Sequence, residues 1–492
     1  MEKSPASPNF ANDPHRPRYH FMPPANWMND PNGPIYYNGR YHLFYQHNPR
    51  SATWGDYDNN IPSASPPAGV TWGSMHWGHA VSTDLVNWQH LPIALTPTPA
   101  GPDKNGCFSG SAVIHDGTPT LVYTGVSPEC QCLAVSHDGM RTWQKDPRNP
   151  VIAGPPSGWT RTDFRDPCVW QEGDDWLMLV GTGIKNVGGA ALLYRSDDLA
   201  TWQYLYPFCM GESAINGDIW ECPDFFPLGK KSVMLVSPIP LRKTLCLIGT
   251  YRDRRFSVES QSALDYGDYY AAKSFEDGEE RRIVWGWVWE GRSAEAQKRA
   301  GWAGAMALPR MVTLRPDGTA GQQPAPEFHA LRHQHRSARS VPLTADGIAL
   351  FPDYRQQAAT LEIIAQFHPG TAQQVGLVIR RSPDGSEQTR IYYDAGRQLL
   401  MADRSRVSLD QDTDHDSQSG PLALAPAETL TLHVFLDNSL VEIFANGRAC
   451  LTTRIYPTRH DSLEFAPYAV GGPASLTRID AWALYPARFT TQ

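Results

Sequence analysis

Ser82-Thr83-Asp84-Leu85-Val86-Asn87-Trp88 recurs twice further along the chain. The second copy is Ser136-His137-Asp138-Gly139-Met140-Arg141-Thr142-Trp143 and the third is Ser196-Asp197-Asp198-Leu199-Ala200-Thr201-Trp202. Each copy follows an apolar, strand-like run and joins an Asp turn to a Trp. The copies lie about 55 to 60 residues apart, the length of one four-stranded blade. Chance recurrence of Ser, Asp and Trp is the competing reading, and three copies at similar spacing weigh against it. Outward from these turns, residues 18–318 are short β-like runs separated by Gly, Pro, Asn and Asp. Examples are 111–114, 120–123, 176–180, 232–236 and 282–287. Long amphipathic helical periods are missing, which leaves a sandwich, barrel or propeller. The repeat selects the propeller, and about 300 residues at this period give about five blades.

Residues 319–340 are rich in Gln, Pro, His and Arg and read as a linker. Over 341–490 apolar and polar residues alternate cleanly, at 361–367, 375–380, 389–393, 430–436 and 439–444, with Asp437-Asn438 as a tight turn. That is a second all-β unit, most simply a sandwich. The expected fold is therefore all-β: a five-bladed β-propeller followed by a C-terminal β-sandwich. Residues 1–17 are polar and Pro-rich and read as a loose arm. They hold no apolar leader, and no apolar run is long enough to span a bilayer. The expectation is a cytoplasmic protein without membrane contact, with export after leader removal as the alternative.

The chain has 492 residues, 41% hydrophobic and 19% charged, which is globular composition. A net charge of -8 argues against a nucleic-acid partner. Sixteen Trp, 20 Tyr and 17 Phe suit a protein that stacks on sugar rings, and suit an all-β core equally well. The eight cysteines form no Cys-x-x-Cys pair, so no zinc site is expected, and scattered thiols fit a reducing compartment.

Three acids sit in unusual company. Trp27-Met28-Asn29-Asp30-Pro31-Asn32-Gly33 holds Asp30 between two amides, ahead of a turn at 31–33 and an aromatic strand-like run over 34–45. Donors around a carboxylate keep it ionised, as a nucleophile at a sugar carbon must be. A surface turn is the competing reading. In Phe164-Arg165-Asp166-Pro167, Arg165 could hold Asp166 ionised to bind sugar hydroxyls; a turn ion pair is the alternative. In Trp220-Glu221-Cys222-Pro223-Asp224-Phe225, apolar neighbours would desolvate Glu221 and raise its pKa, as a general acid needs. An exposed Glu on a strand edge is the alternative, and Asp224 either adds to the rise or caps a turn. In a propeller, acids from three blades can converge at one end of the axis.

WMNDPNG (27–33), FSGS (108–111), FRDP (164–167) and WECPD (220–224), in that order, resemble glycoside hydrolase family 32, the invertases, inulinases, levanases and related β-fructosidases. DYYA (268–271), LPR (308–310) and VEIFANG (441–447) agree with it, and the resemblance covers roughly residues 18–485. It implies a five-bladed propeller with a C-terminal sandwich. It also implies Asp30 as nucleophile, Glu221 as acid/base and Asp166 as transition-state stabiliser. Asn29, Gln46, Phe108, Ser109 and Arg165 match the family's fructose-binding positions, and Tyr270 and Trp287 match more loosely. One departure stands out. Two Thr-Trp-Gly copies, at Trp54 and Trp72, compete for one subsite Trp, and the intact WGSMHWGHA favours Trp72. The polar insertion 55–70 between them is expected either to rim the pocket or to be a plain surface loop.

These readings point to a retaining β-fructofuranosidase acting on sucrose and short fructans. A fructosyltransferase on the same scaffold, a non-catalytic sugar-binding protein and an inverting arabinan- or xylan-acting propeller are the alternatives. The expected partner is a small carbohydrate. No metal or organic cofactor is implied, because carboxylates alone supply the chemistry. The second unit is expected to support the first, with a homodimer contact as a further expectation.

Overall fold

The computed structural model describes residues 13–53, 74–126, 128–159, 163–347, 350–351, 354 and 359–492. Among these residues the strands form seven sheets, five in the first part of the chain and two in the second. The first blade is Asn26–Tyr37, Arg40–Asn48, His76–Ser82 and Trp88–Leu95; the second is Gly106–His115, Thr118–Val126, Cys130–Val135 and Gln144–Lys145. Phe164–Glu172, Asp175–Ile184, Gly188–Ser196 and Gln203–Met210 make the third, and Ile219–Leu228, Lys231–Ile239, Leu245–Arg252 and Arg255–Ala263 the fourth. The fifth is Tyr269–Glu276, Arg282–Val288, Arg310–Leu314 and Ala320–Pro324. The first strands of successive blades pack side by side in a ring around a central axis.

The recurring Ser-x-Asp turn joins the third and fourth strands of the first three blades. Asp84 accepts Val86 N–H (3.0 Å) and Asn87 N–H (2.7 Å), Asp138 accepts Arg141 and Thr142 N–H (3.0 and 2.9 Å), and Asp198 accepts Ala200 and Thr201 N–H (2.9 and 2.7 Å). Leu85, Met140 and Leu199 occupy the same left-handed backbone position, at φ 61, 67 and 63°. The fourth blade turns instead through Asp253-Arg254, both left-handed, in the tight loop between Leu245–Arg252 and Arg255–Ala263. This is why the repeat stops at three copies although the blades do not.

The ring closes where Asn26 and Trp27 pair in parallel with Trp302 and Ala303, which follow the second strand of the fifth blade. Gly304 lets that segment approach: a Cβ there would stand 2.0 Å from the Met28 carbonyl oxygen. The far terminus returns as well, Phe489–Thr491 adding a parallel strand to Trp88–Leu95.

The second unit packs a six-stranded sheet on a five-stranded one around a core of Leu, Ile, Val and Phe side chains. Several local expectations change. The stretch 319–340 is structured: Ala320–Pro324 is the outer strand of the fifth blade and Arg332–Pro342 an edge strand of the sandwich, joined by a short 3-10 helix. It read as a linker because an edge strand with one face in water carries charge where a central strand carries aliphatic residues. In the 430–445 hairpin the loop is Asn438-Ser439, one residue later than read. Asp437 is still paired, and its carboxylate caps the N–H groups of Arg18, Tyr19 and His20 at 2.7 to 3.0 Å. Residues 13–17 belong to the body rather than a loose arm: Arg16 donates to the Pro23 carbonyl (2.8 Å) and Asp13 accepts Trp302 Nε1.

Candidate active site

The segment 27–33 is no surface turn. It lies inside the strand Asn26–Tyr37 at the centre of the ring, with Asn32 fully buried. Gly33, at φ 41°, is needed there because a Cβ would stand 2.7 Å from the Ala112 nitrogen of the next blade. Each of the five innermost strands breaks its pairing register near the same end. The irregularities fall at 28–31, 108–110, 165–168, 221–224 and 270–273. Asp166, Cys222 and Ala271 take left-handed backbone there, at φ 64, 48 and 56°. A bulge leaves residues unpaired and re-aims their side chains. Five bulges in register thus turn Asn29 and Asp30, Phe108 and Ser109, Arg165 and Asp166, Glu221, and Tyr270 into one cavity, which Gln46, Met75, Trp287 and Trp289 complete.

Within the cavity the carboxyls differ in their partners. Asp30 accepts Asn29 Nδ2 at 3.0 Å and Ser109 Oγ at 2.6 Å, and Cys222 Sγ lies 3.4 Å away. Asn29 is fixed by Trp27 Nε1 (2.8 Å). With its amide turned to suit its neighbours, Asn32 donates to Ser109 Oγ (3.2 Å) and accepts Gln46 Nε2 (3.0 Å), while Gln46 also reaches the Cys107 carbonyl (3.0 Å). Asp166 accepts the Cys222 N–H at 2.8 Å, and its own N–H donates to Thr124 Oγ1 at 3.0 Å. Glu221 accepts Arg165 Nε at 3.0 Å through one oxygen, and the Tyr270 hydroxyl lies 2.8 Å from the other.

Arg165 is not devoted to Asp166, contrary to the sequence reading. Its hydrogen bonds go to Glu221, Glu129 (2.9 Å) and Asp163 (3.1 Å). One guanidinium is therefore shared by three carboxyls, with the charge of Asp166 also acting on it. Burial raises the pKa of Asp30, and Ser109 opposes this while the charge of Glu221 adds to it. Burial likewise raises Glu221 and Asp166; Arg165 opposes both shifts, and the neighbouring acid reinforces each. So the donors around Asp30 reduce, but do not reverse, the effect of desolvation.

Proton counting at Tyr270 leaves Glu221 room for a proton. The Tyr270 hydroxyl also lies 2.9 Å from the Ser237 carbonyl oxygen, which can only accept. A phenol has one hydrogen to give. It goes either to Glu221 or to Ser237, and in the second arrangement the contact with Glu221 is filled by a proton on Glu221. Asp30 has two donors, both uncharged, whereas Glu221 also holds the charged Arg165.

Asp224 is not part of this constellation. It accepts the Ser274 N–H (3.0 Å) at the opposite end of the axis. Trp54, Trp72 and the insertion 55–70 lie outside the described residues. Sequence reasoning missed Met75, Trp289, Glu129 and Thr124. Trp289 was recoverable, standing two residues after Trp287 on a strand-like run and so on the same face; Glu129 lies 36 residues from its partner with no local signal.

Residues 20–58 and 65–324 match the model of the glycosyl hydrolases family 32 N-terminal domain, and 327–483 that of the family 32 C terminal. A raffinose invertase of Escherichia coli is 37% identical over 497 residues, covering 95% of this chain and 95% of that protein. A sucrose-6-phosphate hydrolase of the same organism is 36% identical, covering 95% of this chain and 94% of that protein. The crystal structure of fructan 1-exohydrolase IIa from Cichorium intybus superimposes with a TM-score of 0.85 at 30% identity, over 97% of this chain and 99% of that one.

Proposed function

We propose that this chain, which belongs to glycoside hydrolase family 32, is a β-fructofuranosidase that releases terminal fructose from sucrose and short fructans with retention of configuration. The relatives act on such sugars by name, and the chicory enzyme has also been crystallised with 1-kestose. The observation that supports the mechanism is that Asp30, Asp166 and Glu221 line one cavity, with Glu221 beside a phenol whose hydrogen, given to Ser237, leaves Glu221 a proton to keep.

In this reading Asp30 attacks the anomeric carbon of the fructosyl unit while Glu221 gives its proton to the departing oxygen. Glu221, now ionised and paired with Arg165, takes a proton from water, and the hydroxide formed displaces Asp30. Asp166 faces the positive charge that develops on the ring. A retaining pair stands about 5 to 5.5 Å apart. Two successive displacements at the anomeric carbon restore its configuration, so the first-formed product of this mechanism is β-fructofuranose, observable by proton NMR before mutarotation. An α-anomer as first product would remove Asp30 as nucleophile. A transferase reading makes a different forecast: at high sucrose its main products are kestose-type oligomers, whereas the hydrolase yields mainly fructose and glucose. Product chromatography with sucrose, kestose, inulin and levan decides between them and ranks the substrates.

A further inference from the structure

The ring of inner strands encloses a second cavity at the end of the axis away from Glu221. Its volume is about 490 Å³, within the roughly 300–1,000 Å³ of small-molecule sites, and each of the five inner strands contributes to its wall. Lys273 stands where the fifth inner strand resumes its pairing after the bulge, and is 1% exposed. Its ammonium has three hydrogens to give. Among the described residues it makes one hydrogen bond, to the Pro223 carbonyl at 2.8 Å, and no ion pair. Elsewhere in the wall, Ser111 Oγ and Arg282 Nε are both buried with no hydrogen-bond partner among the described residues. One side is aromatic. The Trp170 ring packs 5.3 Å from Phe225, Phe225 packs 5.1 Å from Tyr251, and Trp170 stays partly exposed.

The charges that face this cavity balance. Arg282 pairs with Glu276 at 3.2 Å and Arg254 with Glu172 at 3.3 Å, while the Lys273 ammonium and the Asp224 carboxylate act on each other from further apart. An added ion of either sign would upset that balance, and a neutral ligand would not. Buried polar groups without partners are costly, and a site that keeps them awaits a ligand that supplies them. A hydroxyl group both accepts and donates. A polyol can therefore accept from Lys273, Ser111 and Arg282, donate to Asp224, and lay its C–H face on Trp170. We propose that this cavity is a second, non-catalytic site for a neutral polyol of hexose to disaccharide size. Neither Asp30 nor Glu221 has a part in it, so the site stands or falls apart from the β-fructofuranosidase reading.

Glucose is the probe, titrated into the full chain and followed by saturation-transfer NMR, with inorganic phosphate as the anionic control. The parent binds glucose and not phosphate. Trp170→Ala weakens glucose binding about tenfold or more, and Ser111→Ala, which removes one hydroxyl, about three- to tenfold. In both variants kcat/KM for sucrose stays within about twofold of the parent. Ser111→Ala, the milder change, decides if Trp170→Ala loses hydrolysis as well. A parent that binds no glucose overturns the inference. So does glucose binding that both variants leave unchanged, which puts the sugar elsewhere. Phosphate binding that Trp170→Ala abolishes also overturns it, because the ligand is then an anion. A chain that binds glucose through Trp170 and cleaves no β-fructoside keeps this site and loses the β-fructofuranosidase reading.

Discussion

At the scale of single residues, the cavity holds more negative charge than the one arginine among its described residues can balance, and that imbalance has consequences beyond catalysis. An acid whose pKa is raised on folding binds more protons folded than unfolded. Its contribution to stability therefore declines as pH rises from its ordinary value through its folded one. Asp30 is in this position, because burial outweighs its donors. Asp30→Asn is expected to lower kcat by about a thousandfold or more while raising the thermal midpoint at pH 7. The gain should shrink towards pH 4, as the parent carboxyl, its pKa raised by burial, takes up its proton. A variant less stable than the parent by the same margin at both pH values would contradict this. Glu129 offers a second test. It shares Arg165 with Glu221, so Glu129→Gln frees the guanidinium for Glu221 and removes a negative neighbour. Both changes lower the Glu221 pKa, and the basic limb of the kcat/KM profile should move to lower pH. An unmoved limb would mean that Glu221 is not the acid.

The element that matters most is the bulged inner strand, repeated five times. Regular pairing would point successive side chains alternately to the two faces of each blade. The bulge lets neighbours such as Arg165 and Asp166 both serve the site. In the second blade it depends on Gly110, where a Cβ would stand 2.0 Å from the Val122 carbonyl oxygen. Gly110→Ala is expected to destabilise by about 1–3 kcal/mol and to cut activity by displacing Ser109 from Asp30. Gly154→Ala, with open space around the new Cβ, should leave both unchanged. Urea denaturation and sucrose turnover on the pair read out the difference; equal behaviour would remove the bulge from the explanation. Such a strand reads in sequence as a turn, because Asp, Pro, Asn and Gly favour bulges and turns alike.

In the whole molecule, the two units meet through a buried polar network. Arg310 donates to Asp265 (2.9 Å) and Glu442 (2.7 Å), all three fully buried, and Glu442 also contacts His20 (3.1 Å) and the Leu308 N–H. The segment leading to Tyr270 is docked in the same way, Tyr266 and Asp268 donating their N–H groups to the carbonyls of Cys450 and Thr452. The sandwich thus braces the strand that carries part of the site. Burial works to raise the Glu442 pKa, but Arg310 and His20 outweigh it and the net shift is downward. That stability is present above the ordinary value of 4.5 and is lost as pH falls through the folded one. Burial works to lower His20, but Asp437 and Glu442 outweigh it and raise it. Its share is full below 6.5 and fades as pH rises through the folded value. The docking should therefore be strongest between these limits. Glu442→Gln, which leaves Arg310 with Asp265 as its one carboxylate partner among the described residues, is expected to cost about 3 kcal/mol and to flatten both pH limbs in calorimetry. A variant with the parent's pH profile would show that the network does not hold the units together.

Local chemistry was enough to settle much of this. The Ser-x-Asp turns are closed by hydrogen bonds within seven or eight consecutive residues, so their spacing announced the blades without any tertiary information. Strand alternation announced the sandwich for the same reason. The motifs around Asp30, Asp166 and Glu221 marked the acids, since each carries its own neighbours with it. What folding alone decided is who meets whom. Arg165 turned from the acid beside it to one 56 residues away, the LPR and VEIFANG segments became a single buried ion-pair network, and a charged, linker-like stretch became an edge strand. Each depends on Coulombic, packing or pairing contacts between residues distant in the chain, and such contacts leave no periodic mark on a sequence.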